Sequence, residues 1–206
     1  MTRQTYPLHR IARLAALCLL LVAAGCQMAL PLRLAAGPAR LAVLDGAVTV
    51  VAPRGYCIDP AASLHDADTA VVLIGRCRTD ARSAAQVAAV VTVSVGPGGS
   101  AGVMTAGGAA LSAFFTSDQG RALLARSGRA ADVQVIQARA RDDAFVMQVA
   151  DRSAGVYWRA VTGIGGRLVT VSASGAEGAD LAPEAGLPLV ESTLAALRAA
   201  NPVSRP

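Results

Sequence analysis

The spacing of apolar positions changes twice along this chain, and each change marks a different kind of element. Between residues 47 and 95 the apolar residues come in short runs rich in valine and isoleucine. "AVTVVA" (Ala47–Ala52), "GYCI" (Gly55–Ile58), "TAVVLIG" (Thr69–Gly75) and "QVAAVVTVSV" (Gln86–Val95) all read as strands. Asp59-Pro60-Ala61-Ala62 pairs a capping residue with a proline at the next position, which predicts a single helical turn. Gly96–Gly108 is glycine-rich and predicts a flexible surface loop. After it the period becomes helical: Leu111, Phe114, Phe115, Leu123 and Leu124 fall on one stripe. Ser117-Asp118 would cap a second segment ending at Gly128, so a broken helix over about 110–127 is expected.

Alternation then returns in "DVQVIQAR" (Asp132–Arg139), "DAFVMQVAD" (Asp143–Asp151), "GVYWRAVTGI" (Gly155–Ile164) and "GRLVTVSASG" (Gly166–Gly175). Ile164-Gly165-Gly166-Arg167 carries a tight hairpin turn. "GLPLVESTLAALRAAN" closes the pattern, with Leu189, Val190, Thr193, Leu194 and Leu197 on one helix face. Strands joined by hairpins, a helix in the middle and one at the end predict an α+β domain. Its antiparallel sheet has roughly six strands, with both helices packed on it. The expected boundaries are 41–201 for this single domain and 202–206 for a flexible tail.

Ahead of the domain the pattern has another meaning. Arg3, Arg10 and Arg13 precede an unbroken apolar run, Leu14–Ala24, with no acidic residue among them. A run of eleven residues is too short to span a bilayer and fits an export signal over residues 1–25. Val22-Ala23-Ala24-Gly25-Cys26 resembles the lipobox of bacterial lipoproteins, with Ala23 where that pattern usually has leucine. The resemblance implies acylation of Cys26, which would become the first residue of the mature chain and anchor it by more than one acyl chain. Gln27 after the cysteine resembles the pattern of lipoproteins sent to an outer membrane. The expected location is therefore the envelope, facing the periplasm, with residues 26–40 as the tether. Cleavage near Gly25 to a soluble periplasmic form is the alternative.

Removal of the signal changes the charge argument. The chain has 19 basic residues, all arginine, and 14 acidic ones; losing Arg3, Arg10 and Arg13 leaves 16 against 14. A near-neutral exported chain with 3% aromatic residues has little with which to hold nucleic acid. No cofactor is expected; the expected partners are the membrane, through the N-terminal lipid, and an envelope protein or anionic ligand, with no nucleic acid.

The order of elements, with "YWRAVTGIGGRLVTVSAS" and "LVESTLAALRAAN" as its most recognisable parts, resembles the PsbP-like and DcrB-like superfamily of exported α/β domains over Ala47–Asn201. That resemblance rests on topology without an invariant motif. It implies an accessory or binding module.

Candidate chemistry is sparse. Cys18 leaves with the signal and Cys26 is taken by acylation, so Cys57 and Cys77 are expected to form a disulfide in an oxidising compartment. The same segment holds His65, Asp59, Asp66 and Asp68, but their spacing matches neither a zinc motif nor a calcium loop. "GGSAG" (Gly98–Gly102) satisfies the G-x-S-x-G pattern, yet no histidine follows Ser100 to act as its base. Arginines are what remain. Arg76, Arg78 and Arg82 flank the second cysteine, Arg121, Arg126 and Arg129 lie along the middle helix, and Arg159 sits beside Tyr157 and Trp158. Arg76, Arg121 and Arg159 are the candidate anion-binding set if the fold gathers them. A carboxylate enzyme would need Asp142, Asp143, Asp151 and Arg159 in one pocket. The expectation is a lipid-anchored envelope accessory or binding protein without catalytic machinery, with a soluble module for an anionic small molecule or lipid headgroup as the second reading.

Overall fold

In "AVVTVSV" every second residue is a small branched or apolar one, and in the folded chain Ala89, Val91, Val93 and Val95 are all buried while Val90, Thr92 and Ser94 stay half-buried. That alternation defines the two faces of the central sheet. The computed structural model describes residues 37–77, 87–176 and 181–202. The chain divides into two units, Met1–Pro31 and Leu32–Pro206, and every described residue belongs to the second. The export signal, Cys26, most of the expected tether, Arg78 and Arg82 lie outside the described residues.

Among the described residues nine strands and three α-helices follow one another as β1 (Arg40–Val43), β2 (Val48–Val51), β3 (Tyr56–His65), β4 (Ala70–Arg76), β5 (Ala89–Gly98), α1 (Gly107–Thr116), α2 (Asp118–Leu124), β6 (Val133–Arg141), β7 (Ala144–Asp151), β8 (Gly155–Ile164), β9 (Arg167–Gly175) and α3 (Pro183–Ala200). Strands β3 to β9 form a seven-stranded antiparallel sheet in the order β3-β4-β5-β9-β8-β7-β6, and β1 pairs with β2 in a separate hairpin. The fold is α+β, as the spacing predicts.

One face of the sheet carries Ile58, Val72, Ile74, Val91, Val93, Val171, Ala173, Trp158 and Ala160. It buries them under α3 and the β1–β2 hairpin. Leu189, Val190, Leu194 and Leu197 of α3 supply the other half of this core. Each such side chain contributes about 1.5–3 kcal/mol by leaving water, which makes this layer the main source of stability. Helix and sheet approach closely at Gly186: a Cβ there would overlap Trp158 Cδ1. The helix is fastened at its far end by Asn201, whose side chain accepts from Thr49 N–H at 2.8 Å and donates to Thr49 O at 2.8 Å.

The opposite face is covered only in part. Helices α1 and α2 lie over the β6–β8 side, burying Leu111, Leu124, Phe145, Met147, Val149 and Tyr157, with Phe115 stacked on Phe145 at 5.8 Å between ring centroids. On β4, β5 and β9 the same face keeps Leu73, Thr92, Ser94, Thr170 and Ser172 half-buried, beyond the reach of those helices.

Three expectations are corrected. Asp59–Ala62 forms no helical turn: β3 runs through it with a bulge between Asp59 and Leu64. Pro60 has no N–H for the ladder, and Asp59 Oδ1 accepts the N–H groups of Ala61 and Ala62 instead, at 3.0 and 3.2 Å, so the cap is made without a helix. The Gly96–Gly108 loop is ordered as the end of β5, a 3₁₀ helix over Ser100–Ala106 and the start of α1. Gly99 (φ 78°) and Gly107 (φ 79°) bracket that 3₁₀ helix in conformations that favour glycine. The folded domain begins earlier than Leu41, since Pro38 O accepts Ile58 N–H at 2.9 Å and Ala39 O accepts Ala52 N–H at 2.9 Å. The main sheet has seven strands, close to the roughly six expected.

Other expectations hold. The middle helix breaks at Ser117, whose Oγ caps α2 by accepting Gly120 N–H at 3.2 Å. Gly165 (φ 56°) and Gly166 (φ 74°) form the two-residue turn between Ile164 and Arg167. Cys57 and Cys77 are joined across the β3–β4 hairpin with Cα atoms 5.0 Å apart. By chain entropy a loop of this length contributes about 3 kcal/mol.

Candidate functional site

The β8 strand places its aromatic pair on opposite sides of the sheet. Trp158 points into the core under α3, while Tyr157 and Arg159 share the other face with the hydroxyl-bearing residues of β9 and β5. Register carries a row straight across three strands: Arg159 opposes Ser172, and Ser172 opposes Thr92. Ser94 and Thr170 form the next row, and Ser174 opposes Val90. The uncovered half of this face is thus a floor of five hydroxyls with one guanidinium. It forms a trough of about 400 Å³, with Leu123, Leu124, Ala125 and Arg126 along its helical rim.

Arg159 is held in place. Its Nε donates to Ser172 Oγ at 2.9 Å, and its guanidinium carbon lies 5.1 Å from the centre of the Tyr157 ring. Tyr157 is itself fixed, donating its hydroxyl to Leu124 O at 3.0 Å. Burial raises the Tyr157 pKa and the nearby Asp151 raises it further, against the lowering effect of Arg159, so the phenol stays a hydrogen-bond donor. Among the described residues neither Arg159 nor Arg126 forms an ion pair with a carboxylate.

Asp151 closes one end of the trough, but its oxygens are taken. Oδ2 accepts Arg126 N–H at 2.8 Å, and Oδ1 accepts Ser153 N–H and Oγ–H, both at 2.7 Å, and Ala154 N–H at 3.2 Å. Burial alone would raise its pKa; the hydrogen bonds outweigh it and hold the carboxyl below its ordinary value. Asp151 is a structural acceptor that turns β7 into β8 and pins the chain after α2.

The three arginines singled out from the sequence do not converge. Arg76 follows Ile74 at two-residue spacing and opposes the core residue Tyr56, so it belongs to the face opposite Arg159. Arg121 sits on α2, where it pairs with Asp118 at 2.6 Å, and it does not line the trough. Arg159 alone of the three is there, and Arg126 joins it. The sequence placed Arg126 on the helix, but α2 ends at Leu124 and Arg126 stands on the following loop, its N–H bound to Asp151. That contact spans 25 residues and leaves no local signal.

The remaining candidates resolve into structural roles. Ser100 Oγ donates to Pro97 O at 2.6 Å and accepts Leu168 N–H at 2.8 Å, tying the 3₁₀ helix to β9. His65 is exposed at the end of β3. Asp66 accepts the N–H groups of Asp68 and Thr69 and the Thr69 hydroxyl, bonds that depress its pKa and close the β3–β4 turn. Asp68 pairs with Arg167 at 2.6 Å, which depresses its pKa and ties that turn to β9. Asp142 holds a left-handed turn conformation (φ 53°) and Asp143 pairs with Arg198 of α3. Asp143 and Asp151 stand at opposite ends of β7, about 25 Å apart at ~3.3 Å per residue, so Asp142 and Asp143 line one hollow beside α1 while Asp151 and Arg159 line the trough, and the four do not meet in one pocket. A larger hollow of about 710 Å³ beside the β8–β9 turn is lined by Asn201, Arg198 and Asp143; the Asn201 amide bonds Thr49 and Leu197 and one terminal nitrogen of Arg198 pairs with Asp143, while Arg198 Nε has no hydrogen-bond partner among the described residues. Among the described residues no group of three His, Cys, Asp or Glu side chains converges as a metal site, and no helix is long and apolar enough to cross a membrane.

No known family matches the chain, and neither a curated protein nor a solved structure matches it.

Proposed function

We propose that this chain is an exported envelope protein, held to the membrane through Cys26, whose domain binds an anionic ligand in the trough beside Arg159. The observation that carries the binding half is a guanidinium fixed by Ser172 and Tyr157, without a carboxylate partner, among five hydroxyls on an uncovered sheet face. An arginine kept in one geometry on a protein surface has its conformational entropy already reduced and its terminal N–H groups ready for an oxyanion. Among the described residues lining the trough, the one carboxylate, Asp151, already has both oxygens bonded, which supports a binding role. Regular antiparallel pairing underneath, of β8 with β9 and of β5 with β9 over residues 89–95, suits a recognition surface.

The anchoring half rests on the lipobox-like Val22–Cys26 and the cationic, apolar leader ahead of it. The resemblance to PsbP-like and DcrB-like domains fits an accessory module on such a tether. Metabolic labelling with a radioactive fatty acid is expected to mark the chain and to fail with Cys26→Ala. An unlabelled wild-type chain, or labelling unchanged by Cys26→Ala, would leave the soluble periplasmic form as the correct description.

A further inference from the structure

We infer that the ligand of the trough is the phosphate ester of a polyol, a glycerol phosphate or sugar phosphate unit, in place of a carboxylate or a nucleotide. The inference rests on the anion-binding reading above and names its chemical class.

Donor count argues for phosphate. Arg159 uses only Nε on Ser172, and a carboxylate would be satisfied by its two terminal nitrogens alone. The trough offers more: the second guanidinium of Arg126, and the hydroxyl proton of Ser172, which is free to point outward because its oxygen accepts from Arg159. Three or more donors and two positive charges around the trough suit a phosphate, which has two free oxygens and one charge as a diester and three oxygens with about −1.5 to −2 charge as a monoester.

The rest of the floor argues for a polyol. Thr92 continues the Arg159 row, with Ser94 and Thr170 on one side of it and Ser174 on the other. Hydroxyls both donate and accept, so a row of them serves a partner that does the same. Adjacent strands lie about 4.8 Å apart and alternate residues about 6.7 Å apart, distances that the successive hydroxyls of a small polyol can bridge directly or through water. A nucleotide would need an open aromatic face. Tyr157 is the aromatic side chain in the trough lining, and it is 5% exposed with Arg159 over its ring.

A phosphorylated polyol reaches an envelope protein either as a free solute or as a lipid headgroup. Leu123, 68% exposed on the rim, would meet the interface in the second case.

The test uses the mature chain with Cys26→Ser, titrated calorimetrically with glycerol 3-phosphate, glucuronate and adenosine monophosphate. It is also floated with phosphatidylglycerol or phosphatidylcholine vesicles. Glycerol 3-phosphate is expected to bind about tenfold more tightly than either other solute, with Arg159→Gln and the surface variant Arg126→Gln each weakening it about tenfold and Arg121→Gln leaving it unchanged. Flotation with phosphatidylglycerol that glycerol 3-phosphate competes away identifies the membrane as the source; solute binding without flotation identifies a free ligand. Glucuronate bound as tightly overturns the phosphate assignment while the anion reading stands. Adenosine monophosphate, a ribose phosphate that carries a base, bound as tightly overturns the exclusion of a nucleotide. Flotation indifferent to Arg126→Gln and Arg159→Gln shows nonspecific attraction and overturns the site. Folded protein that binds none of the solutes or vesicles removes both this inference and the reading beneath it.

Discussion

Gly186→Ala is expected to destabilise the domain by about 2 kcal/mol, although alanine is the better helix former by about 1 kcal/mol. Gly186 lies in the first turns of α3, buried against the sheet. An added Cβ would overlap Trp158 Cδ1, lie 3.2 Å from Trp158 Nε1 and come within 3.1 Å of Leu181 Cδ2. An indole packed in a β8 side-chain well cannot swing away as a flexible chain end would. Either the helix lifts or Trp158 leaves its place, and both loosen the core shared by Leu189, Val190 and Leu194. Trp158→Ala is expected to cost about 3–5 kcal/mol through the cavity it leaves. The two changes are coupled: in a Trp158→Leu background Gly186→Ala loses its penalty, because the clash is gone and the helix preference remains. Urea unfolding midpoints of the four chains check this. Equal costs for Gly186→Ala in both backgrounds would show that the close approach is not what glycine is needed for.

Asp151→Ala is expected to cost about 3 kcal/mol, since it strands the Arg126, Ser153 and Ala154 N–H groups that the carboxylate now accepts. Asp151→Asn should cost less near neutral pH, retaining one acceptor oxygen. It also changes the pH dependence. The folded pKa of Asp151 is lowered, so its contribution is complete above the unfolded value of about 3.9 and is lost as pH falls through the folded value. Wild-type stability is therefore expected to fall as pH drops below about 4, and Asp151→Asn to flatten part of that fall. Part of the slope remains in the variant, because Asp66, Asp68 and Asp132 are also depressed, by hydrogen bonds to Asp68 N–H, Arg167 and Ser127 respectively. Denaturant titrations at pH 7 and pH 3 separate the cases; an unchanged slope in Asp151→Asn would mean the carboxylate charge does not matter to that turn.

Both residues show where sequence reasoning reaches its end. The alternation in Ala89–Val95 and Gly155–Ile164 carries strand, face and core together, because period two has only one arrangement with a buried side. Gly165-Gly166 and Ser117 are legible for the same kind of reason: a turn needing positive φ and a cap needing a short acceptor are local demands. The disulfide follows from setting the other cysteines aside. Asp59-Pro60 carries a true local signal, an acceptor followed by a missing donor, but the neighbouring β4 strand converts it from a helix start into a bulge. The glycines of 96–108 bend the chain tightly enough for a 3₁₀ helix that Ser100 then ties to Leu168, a partner 68 residues away.

The site follows the same division. Arg159 and its outward face are readable from β8 alone, with Trp158 turned the other way. Which arginine joins it is not, because that depends on where α2 stops and on the long-range bond from Arg126 N–H to Asp151. Arg121 looks equally suitable on paper, yet its own helix supplies Asp118 as a partner. The hydroxyl floor is also invisible in one dimension: Thr92, Ser94, Thr170, Ser172 and Ser174 come from two strands far apart in sequence and meet through the β5–β9 register.

The most direct test of an anion-binding trough is a nuclear magnetic resonance titration of the isotope-labelled mature chain, Cys26→Ser, with glycerol 3-phosphate. The expected result is saturable shifts confined to the Arg159 Nε–H, the amides of Thr92 and Ser172, and the Arg126 loop, all abolished by Arg159→Gln. Shifts centred on Arg76 or Arg121, or a spectrum that does not change, would contradict the account.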